Sequence, residues 1–233
     1  ENFAKNLSKL GDFYINEAFS CSHRRQASLH KITNYIDSYG GPLLDKETQS
    51  INLIIKNKKK PVTSIIGGSK VSTKINVLLN LSKNTNNLII VGAMANNFLK
   101  FNGYNVGASL LEKGTEHIIK SIYSSSEKNN CNIIIPIDCV VSNDLNGLPK
   151  PKSLSAIKSE DIILDIGEKT IELINKTVEL SKTVFWNGPA GYFENKNFSK
   201  GTLSIAKKIS SDTDTKSLIS IVGGGDTIAA LKN

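Results

Sequence analysis

Gly223-Gly224-Gly225-Asp226-Thr227 sets three residues without Cβ atoms beside a carboxylate and a hydroxyl, after the apolar run 218–222 and before Ile228-Ala229-Ala230-Leu231. The order reads as strand, turn and helix start. Such a turn lets the backbone come close to a bulky anion, and a helix beginning there adds unpaired N–H groups and the positive end of its dipole. The chemistry this suits is phosphate binding, with Asp226 placed to hold a metal ion beside the phosphate. Little chain follows Thr227, too little for the helix to finish or for a further strand to cover it. The expectation is that these residues hold part of a larger machine.

Gly67-Gly68-Ser69-Lys70-Val71-Ser72-Thr73-Lys74 is a second glycine turn, following the apolar run 62–66, with a helix expected from about Val71. That helix would carry Lys70 and Lys74 on one face, where two ammonium groups repel mildly unless a polyphosphate lies between them. The plain alternative is an ordinary turn with two solvated lysines. Neither GxxxxGK[ST] nor GxGxxG occurs here, so it is neither a P-loop nor a dinucleotide fingerprint. Residues 186–194, Trp-Asn-Gly-Pro-Ala-Gly-Tyr-Phe-Glu, end another strand. So rigid a turn can present a flat surface to a base, with Glu194 accepting from ribose hydroxyls and Asn187 offering an amide toward phosphate. Packed into the core, the same aromatics would serve structure alone. Ser22-His23-Arg24-Arg25 sets an imidazole beside guanidinium groups, a pairing suited to phosphate or carboxylate, although a structural His23 and a solvated Arg25 account for it too. His30 and His117 have no neighbours that suggest a metal site.

The elements that must hold these turns fall into a pattern. Residues 3–10 carry helical spacing in Phe3, Leu7 and Leu10, and 12–16 read as a short strand. Tyr39-Gly40-Gly41-Pro42 breaks the pattern before a helix built on Leu43, Leu44, Ile51, Leu53 and Ile54, which suits a connector closed by the lysine-rich stretch 56–61. Short apolar strands at 62–66, 87–91, 132–136, 182–186 and 218–222 then alternate with helices, one of them from about Ala95, while the polar stretch 124–132 reads as a loop. This alternation argues for an α/β fold with a Rossmann-like parallel sheet and helices on both faces. Ligands of open α/β sheets bind at the C-terminal ends of the strands, which is where the glycine turns lie.

Composition narrows the function classes. The 233 residues carry a net charge of +8, scattered along the chain without the interleaved aromatics of single-stranded nucleic-acid binders. Nucleic acid is therefore not the expected partner; small anions are, and most of the excess lysine reads as bias toward Asn, Lys and Ile. Three cysteines at no metal-ligand spacing are expected to be free thiols in a reducing compartment. No apolar run is long enough to span a bilayer and no signal-peptide core is present, so a cytoplasmic protein without membrane partners is expected.

Taken in order, these segments resemble phosphoglycerate kinases over essentially the whole chain. Residues 12–19 with Ser22-His23-Arg24 are similar to the family's Asn-Asp-Ala-Phe and His-Arg segment, 67–74 to its Gly-Gly-Ala/Ser-Lys-Val turn, 186–194 to its Trp-Asn-Gly-Pro segment and 223–227 to its Gly-Gly-Gly-Asp-Thr turn. The resemblance implies reversible phosphoryl transfer between 1,3-bisphosphoglycerate and Mg-ADP, giving 3-phosphoglycerate and ATP, by a monomer whose two domains close over the substrates. His23 and Arg24 would contact the phosphoglycerate. Lys70 and Lys74 would hold the nucleotide phosphates and the group in flight. Gly68, Ser69, Gly92, Gly167, Asn187, Pro189, Gly191, Tyr192 and Glu194 would line the nucleotide pocket, Gly223, Gly224, Gly225 and Thr227 would form the phosphate turn, with Gly224 and Gly225 donating N–H groups, and Asp226 would hold the Mg2+ of the nucleotide. Phosphoryl transfer needs positioning and charge stabilisation more than a covalent nucleophile, which agrees.

Departures stand at Glu17 for Asp, at Arg25 for a small residue, at Val91-Gly92-Ala93 for a glycine triplet, and at Tyr192 for a smaller apolar residue. The resemblance divides the chain into 1–42, a remnant of the phosphoglycerate-binding domain; 43–58, an interdomain helix; and 59–233, a nucleotide domain incomplete at its C-terminal end. The family's Asp-x-Asn loop, catalytic arginine and His-x-Gly-Arg segment are absent from these residues. The chain by itself is therefore expected to bind nucleotide and to transfer phosphate poorly or not at all. The competing class is a non-catalytic nucleotide-binding module. An NAD-dependent dehydrogenase is disfavoured by the lack of GxGxxG with a downstream acidic residue.

Overall fold

The computed structural model describes residues 1–22 and 24–232. Contacts divide the chain into two units, Glu1–Lys58 and Lys59–Asn233. In the first, α1 (Asn2–Leu7) precedes β1 (Tyr14–Asn16), which pairs in parallel with β2 (Ser38–Gly40), and α2 (Pro42–Asn57) follows. Tyr39, expected to break the pattern, thus sits in a short strand. Pro42 occupies the first turn of α2, where its missing N–H has no intrahelical partner to lose. The Glu17 carboxylate accepts from the amides of Leu43 at 2.9 Å and Leu44 at 3.2 Å. A negative charge there satisfies orphan N–H groups and meets the positive end of the helix. Glu17→Ala is expected to cost about 1 kcal/mol and to speed hydrogen exchange at Leu43 and Leu44; unchanged exchange at those amides would remove the capping role.

The second unit holds β3 (Val62–Ile66), α3 (Ile75–Asn84), β4 (Asn87–Ile90), α4 (Met94–Phe101), α5 (Glu116–Lys128), β5 (Asn132–Ile134), β6 (Asp138–Ser142), β7 (Lys150–Ser153), β8 (Ile162–Ile166), α6 (Glu168–Glu179), β9 (Thr183–Asn187), α7 (Lys200–Lys216), β10 (Ile219–Gly223) and α8 (Gly225–Lys232). Five strands form an all-parallel sheet in the order β10-β9-β3-β4-β5. Every residue of β3 is buried, as a central strand covered on both faces must be. Side chains alternate across the pleat. Ile65, Ile89 and Val184 pack with Ile171, Ile174 and Val178 of α6 and Ile205 and Ile209 of α7. Ile66, Leu88 and Ile90 pack on the other face with Leu78 of α3, Phe98 of α4, and Ile119 and Ile122 of α5.

The chain runs β3, β4, β5 in one direction and returns to place β9 and β10 on the other side of β3. The switch in direction therefore falls between β3 and β9, and a crevice forms outside the carboxyl ends of strands at such a point. Three local expectations change. The helix expected from Val71 begins at Ile75, after a 3-10 turn at Ser72–Lys74, because the Ser72 amide and hydroxyl are both held by the Glu112 carboxylate. Lys70 therefore lies outside the helix, and the shared lysine face does not exist. The polar stretch 124–132 is not a loop but largely the end of α5; Ser125 meets Ser82 of α3 at 2.7 Å, so hydroxyls rather than aliphatics join the helices there. Finally, β7-β6-β8 form a separate antiparallel sheet that the apolar pattern does not announce. Among the described residues no helix is long and apolar enough to cross a membrane, and all three cysteines are free.

Candidate functional site

The turns after β3 and β9 pack backbone against backbone. The Gly67 amide donates to the Asn187 carbonyl at 2.9 Å, and Gly188, at φ +108, lies so close that a Cβ there would sit 2.4 Å from the Gly67 carbonyl oxygen. The turn after β4 is tied to both, through the Gly92 amide to the Ala190 carbonyl at 3.2 Å and the Met94 amide to the Gly68 carbonyl at 2.7 Å. The turn after β10 joins them through Thr227, whose buried Oγ1 accepts from the Gly188 amide at 2.7 Å. Trp186 Nε1 donates to the Gly188 carbonyl at 2.8 Å, so both backbone groups of Gly188 are used.

Lys74 reaches into this junction. Its half-buried Nζ donates to the Gly67 carbonyl at 2.6 Å and to Asn187 Oδ1 at 2.9 Å. With Oδ1 engaged, the Asn187 amide nitrogen faces Gly224. Burial pushes the Lys74 ammonium below its ordinary pKa, and the negative charge of Asp226 works against that shift. A partly desolvated cation with a spare donor and two polar partners is suited to an anion. Lys70, Gly224, Gly225 and Asp226 are exposed.

Beside this junction lies a cavity of about 320 Å³. Of the residues singled out by sequence, Gly68, Ser69, Gly92, Pro189, Gly191, Tyr192, Glu194 and Asp226 line it. Lys74 approaches from behind Gly68, its Nζ 3.4 Å from where a Cβ on that residue would lie. Asn187 and Gly223 end β9 and β10, and Thr227 lies in the first turn of α8, rather than in the cavity wall. Gly167 is placed elsewhere: it is buried at the N-terminal end of α6, where the Asp138 carboxylate accepts from the amides of Lys169 at 3.0 Å and Thr170 at 2.8 Å. Val91 points into the core, so of the replaced glycine triplet only Gly92 and Ala93 meet the cavity. In the first unit Arg24 is exposed; His23 lies outside the described residues.

Sequence reasoning missed the rest of the lining, which comes from α4, the stretch that follows it and the antiparallel sheet: Asn96, Leu99, Leu110, Cys139 and Ile162 to Ile166. Burial pushes the Cys139 thiol up to about 12, which makes it inert as a nucleophile. Asp165 is buried, its carboxylate accepting from the amides of Gly201 at 2.8 Å and Ile166 at 2.9 Å, and burial lifts it to about 7. The one signal for it was a carboxylate inside the apolar run Ile162-Ile163-Leu164-Asp165-Ile166.

Fold and site together define a doubly wound α/β protein with a cavity at the switch point of its parallel sheet, next to a clamped lysine and a glycine turn bearing a carboxylate. The sequence model of the phosphoglycerate kinase family matches residues 1–233, and the chain belongs to that family. It is 42% identical over 231 residues to the phosphoglycerate kinase of Wolbachia pipientis wMel and 42% identical over 234 residues to that of Bartonella bacilliformis, covering 99% and 100% of this chain and 58% of each relative. The solved phosphoglycerate kinase of Coxiella burnetii superposes with a TM-score of 0.84 at 36% identity, over 99% of this chain and 59% of that one. That of Pyrococcus horikoshii OT3 superposes with a TM-score of 0.77 at 26% identity, over 98% and 57%. The chain thus spans a little under three fifths of the length of these relatives.

Proposed function

We propose that the cavity binds the nucleotide of a phosphoglycerate kinase, ADP or ATP with Mg2+, and that the chain contributes the nucleotide side of glycolytic phosphoryl transfer between 1,3-bisphosphoglycerate and ADP. The observation that carries this reading is Lys74, a desolvated ammonium fixed by Gly67 and Asn187 beside Gly68, with the Asp226 carboxylate at the same cavity. The apolar wall receives the base, Glu194 the ribose, and the glycine turns the phosphates. Lys70 and Lys74 hold charge that builds on the oxygens of the moving phosphoryl group, and the amides of Gly224 and Gly225 donate to it. No covalent intermediate on the protein is needed.

The described residues include no cluster of three His, Cys, Asp or Glu side chains able to cage a metal. A single carboxylate, Asp226, fits an ion that arrives with substrate phosphates, as Mg2+ commonly does. When bound, Mg2+ would neutralise phosphate charge. His23 and Arg24 are proposed contacts for 3-phosphoglycerate, residues 1–42 a piece of the domain that binds it, and residues 43–58 the helix between domains. We read the whole enzyme as a cytoplasmic monomer, on the free thiols and the family's small-molecule substrates.

The test is calorimetry on this chain with ADP, with and without Mg2+, beside a coupled ATP-forming assay. Binding of Mg-ADP without turnover is the expected pair of results; normal turnover would remove the requirement for the family segments that these residues lack, and no nucleotide binding would sink the reading. Asp226→Ala is expected to weaken Mg-ADP binding by about tenfold to a hundredfold, in line with a charge-assisted contact of roughly 1.5–3 kcal/mol, while binding of ADP in chelator changes little. An equal loss in both conditions would take the metal role from Asp226.

A further inference from the structure

We propose that Glu112 is a positioning residue for phosphate binding: it fixes the turn that carries Lys70, so that this ammonium is in place when a nucleotide phosphate arrives. The inference rests on the nucleotide reading above and adds a residue from beyond the cavity lining.

Lys70 is exposed and follows Gly67-Gly68-Ser69, a run whose glycines leave the backbone unusually free. Two ties restrain it. Upstream, the Gly68 carbonyl accepts from the amide of Met94, the first residue of α4, at 2.7 Å. Downstream, both oxygens of the Glu112 carboxylate are spent on Ser72: Oε2 accepts from its amide at 3.0 Å and Oε1 from its hydroxyl. Ser72 opens the 3-10 turn Ser72–Lys74, so its amide has no partner inside that turn. A side chain forty positions away supplies one.

Glu112 can act as an anchor because its own backbone is clamped. Its carbonyl accepts from Asn97 Nδ2 at 2.7 Å and its amide donates to Asn97 Oδ1 at 3.4 Å. Asn97 is 4% exposed and sits on α4. Both ties on Lys70 therefore run to α4, the helix whose Leu99 lines the cavity, and Leu110, two residues before Glu112, lines it too. The lysine turn and the cavity lining are thus joined through one buried amide and one carboxylate. A lysine held at its base gives up less freedom when it meets a ligand.

Charge gives the inference its discriminating sign. The Ser72 hydroxyl and amide, with the Lys70 ammonium adding to them, hold the Glu112 carboxyl below the usual carboxylate range, so it is ionised at neutral pH. Removing a negative charge near a phosphate site strengthens anion binding if charge alone matters. Releasing the Lys70 turn weakens it.

Titration with Mg-ADP followed by nuclear magnetic resonance, on the unmodified chain, Glu112→Ala, Lys70→Met and the double variant, tests this. Glu112→Ala is expected to weaken Mg-ADP about fivefold to tenfold. In the Lys70→Met background the same substitution should change affinity by less than about twofold, because the group it positions is gone. Ser72→Ala keeps the carboxylate and loses half of the clasp. It should weaken Mg-ADP about threefold, again only where Lys70 is present, and it decides the matter if Glu112→Ala does not fold. Tighter binding by Glu112→Ala would overturn the inference, as would unchanged binding by Ser72→Ala. So would an equal loss with and without Lys70, the mark of a residue that only braces the start of α3. Failure of the unmodified chain to bind Mg-ADP would sink the nucleotide reading itself, a separate outcome.

Discussion

Gly188→Ala is expected to destabilise the 59–233 unit by about 4 kcal/mol and to abolish measurable nucleotide binding. Two separate costs meet at this residue. Its φ of +108 is a conformation that residues with a Cβ rarely adopt, worth about 1–3 kcal/mol of strain. The new Cβ would also lie 2.4 Å from the Gly67 carbonyl oxygen, 2.5 Å from its carbon and 2.7 Å from its Cα. All three are backbone atoms, and neither turn can retreat. Gly67 is held by the Asn187 carbonyl and by Lys74, and Gly188 by Thr227 and Trp186. Relief would break at least one buried hydrogen bond, at about 1–3 kcal/mol for the group left unpaired.

Gly103→Ala separates the two costs. Gly103 also has positive φ, +86, but an added Cβ would meet nothing within 4 Å. Only the strain applies there, and a loss near 1 kcal/mol is expected. At about 2–4 °C per kcal/mol for a unit of this size, Gly188→Ala should melt roughly 10 °C below the parent and Gly103→Ala only a few degrees below it. Equal melting shifts would show that the contact with Gly67 contributes nothing, and a Gly188→Ala protein that binds Mg-ADP normally would detach the junction from function.

How much of this was legible in the amino-acid order depends on the range of the interactions. The strands β3, β4, β9 and β10 announce themselves because each is a short apolar run closed by a glycine or polar turn, and their parallel pairing follows from the helices between them. That the turns converge also follows, since strands of one parallel sheet end on one side. The lysine pair misled because Ser72 is captured by Glu112, forty positions away in the chain, and no local propensity encodes that contact. Strand β7, Lys-Pro-Lys-Ser, has no apolar residue to mark it; β6 and β8 define its place. Val91 looked like a change in the binding surface, yet strand alternation turns its side chain into the core. Asn96 and Asp165 were passed over for the same reason: an amide on a helix and a carboxylate in a strand are ordinary until the fold shows them buried and facing a cavity.

The second large effect concerns Asp165 and pH. Between pH 4 and pH 8 the parent is expected to lose about 2–4 kcal/mol of stability relative to Asp165→Asn. Asp165 is 2% exposed, and burial lifts its carboxyl from the ordinary 3.8 to about 7, against the pull of the Gly201 and Ile166 amides and of Lys200. Below about pH 4 the group is protonated in folded and unfolded chains alike, so it gives no pH dependence. Between 4 and 7 the folded chain holds a proton that the unfolded chain has released, and stability falls as pH rises. Above about 7 both forms are ionised and the whole cost of burying the charge is present. The shift, already net of the pull of Gly201, Ile166 and Lys200, sets a ceiling of about 4 kcal/mol. Glu112, held down chiefly by its bond to the Ser72 side chain, and Glu179, held down chiefly by Lys216, act in the opposite sense: their contribution is lost as pH falls. The parent's curve alone therefore mixes signs, whereas its difference from Asp165→Asn isolates one residue. The asparagine sets an NH2 group where a backbone amide needs an acceptor, a pH-independent loss of about 1–3 kcal/mol. Asp165→Asn should consequently be the weaker protein at pH 4 and match or exceed the parent at pH 8. Urea unfolding of both at intervals across that range gives the difference directly, and two curves that stay parallel would show that Asp165 remains ionised throughout, held by Gly201 and Ile166 strongly enough to cancel its burial.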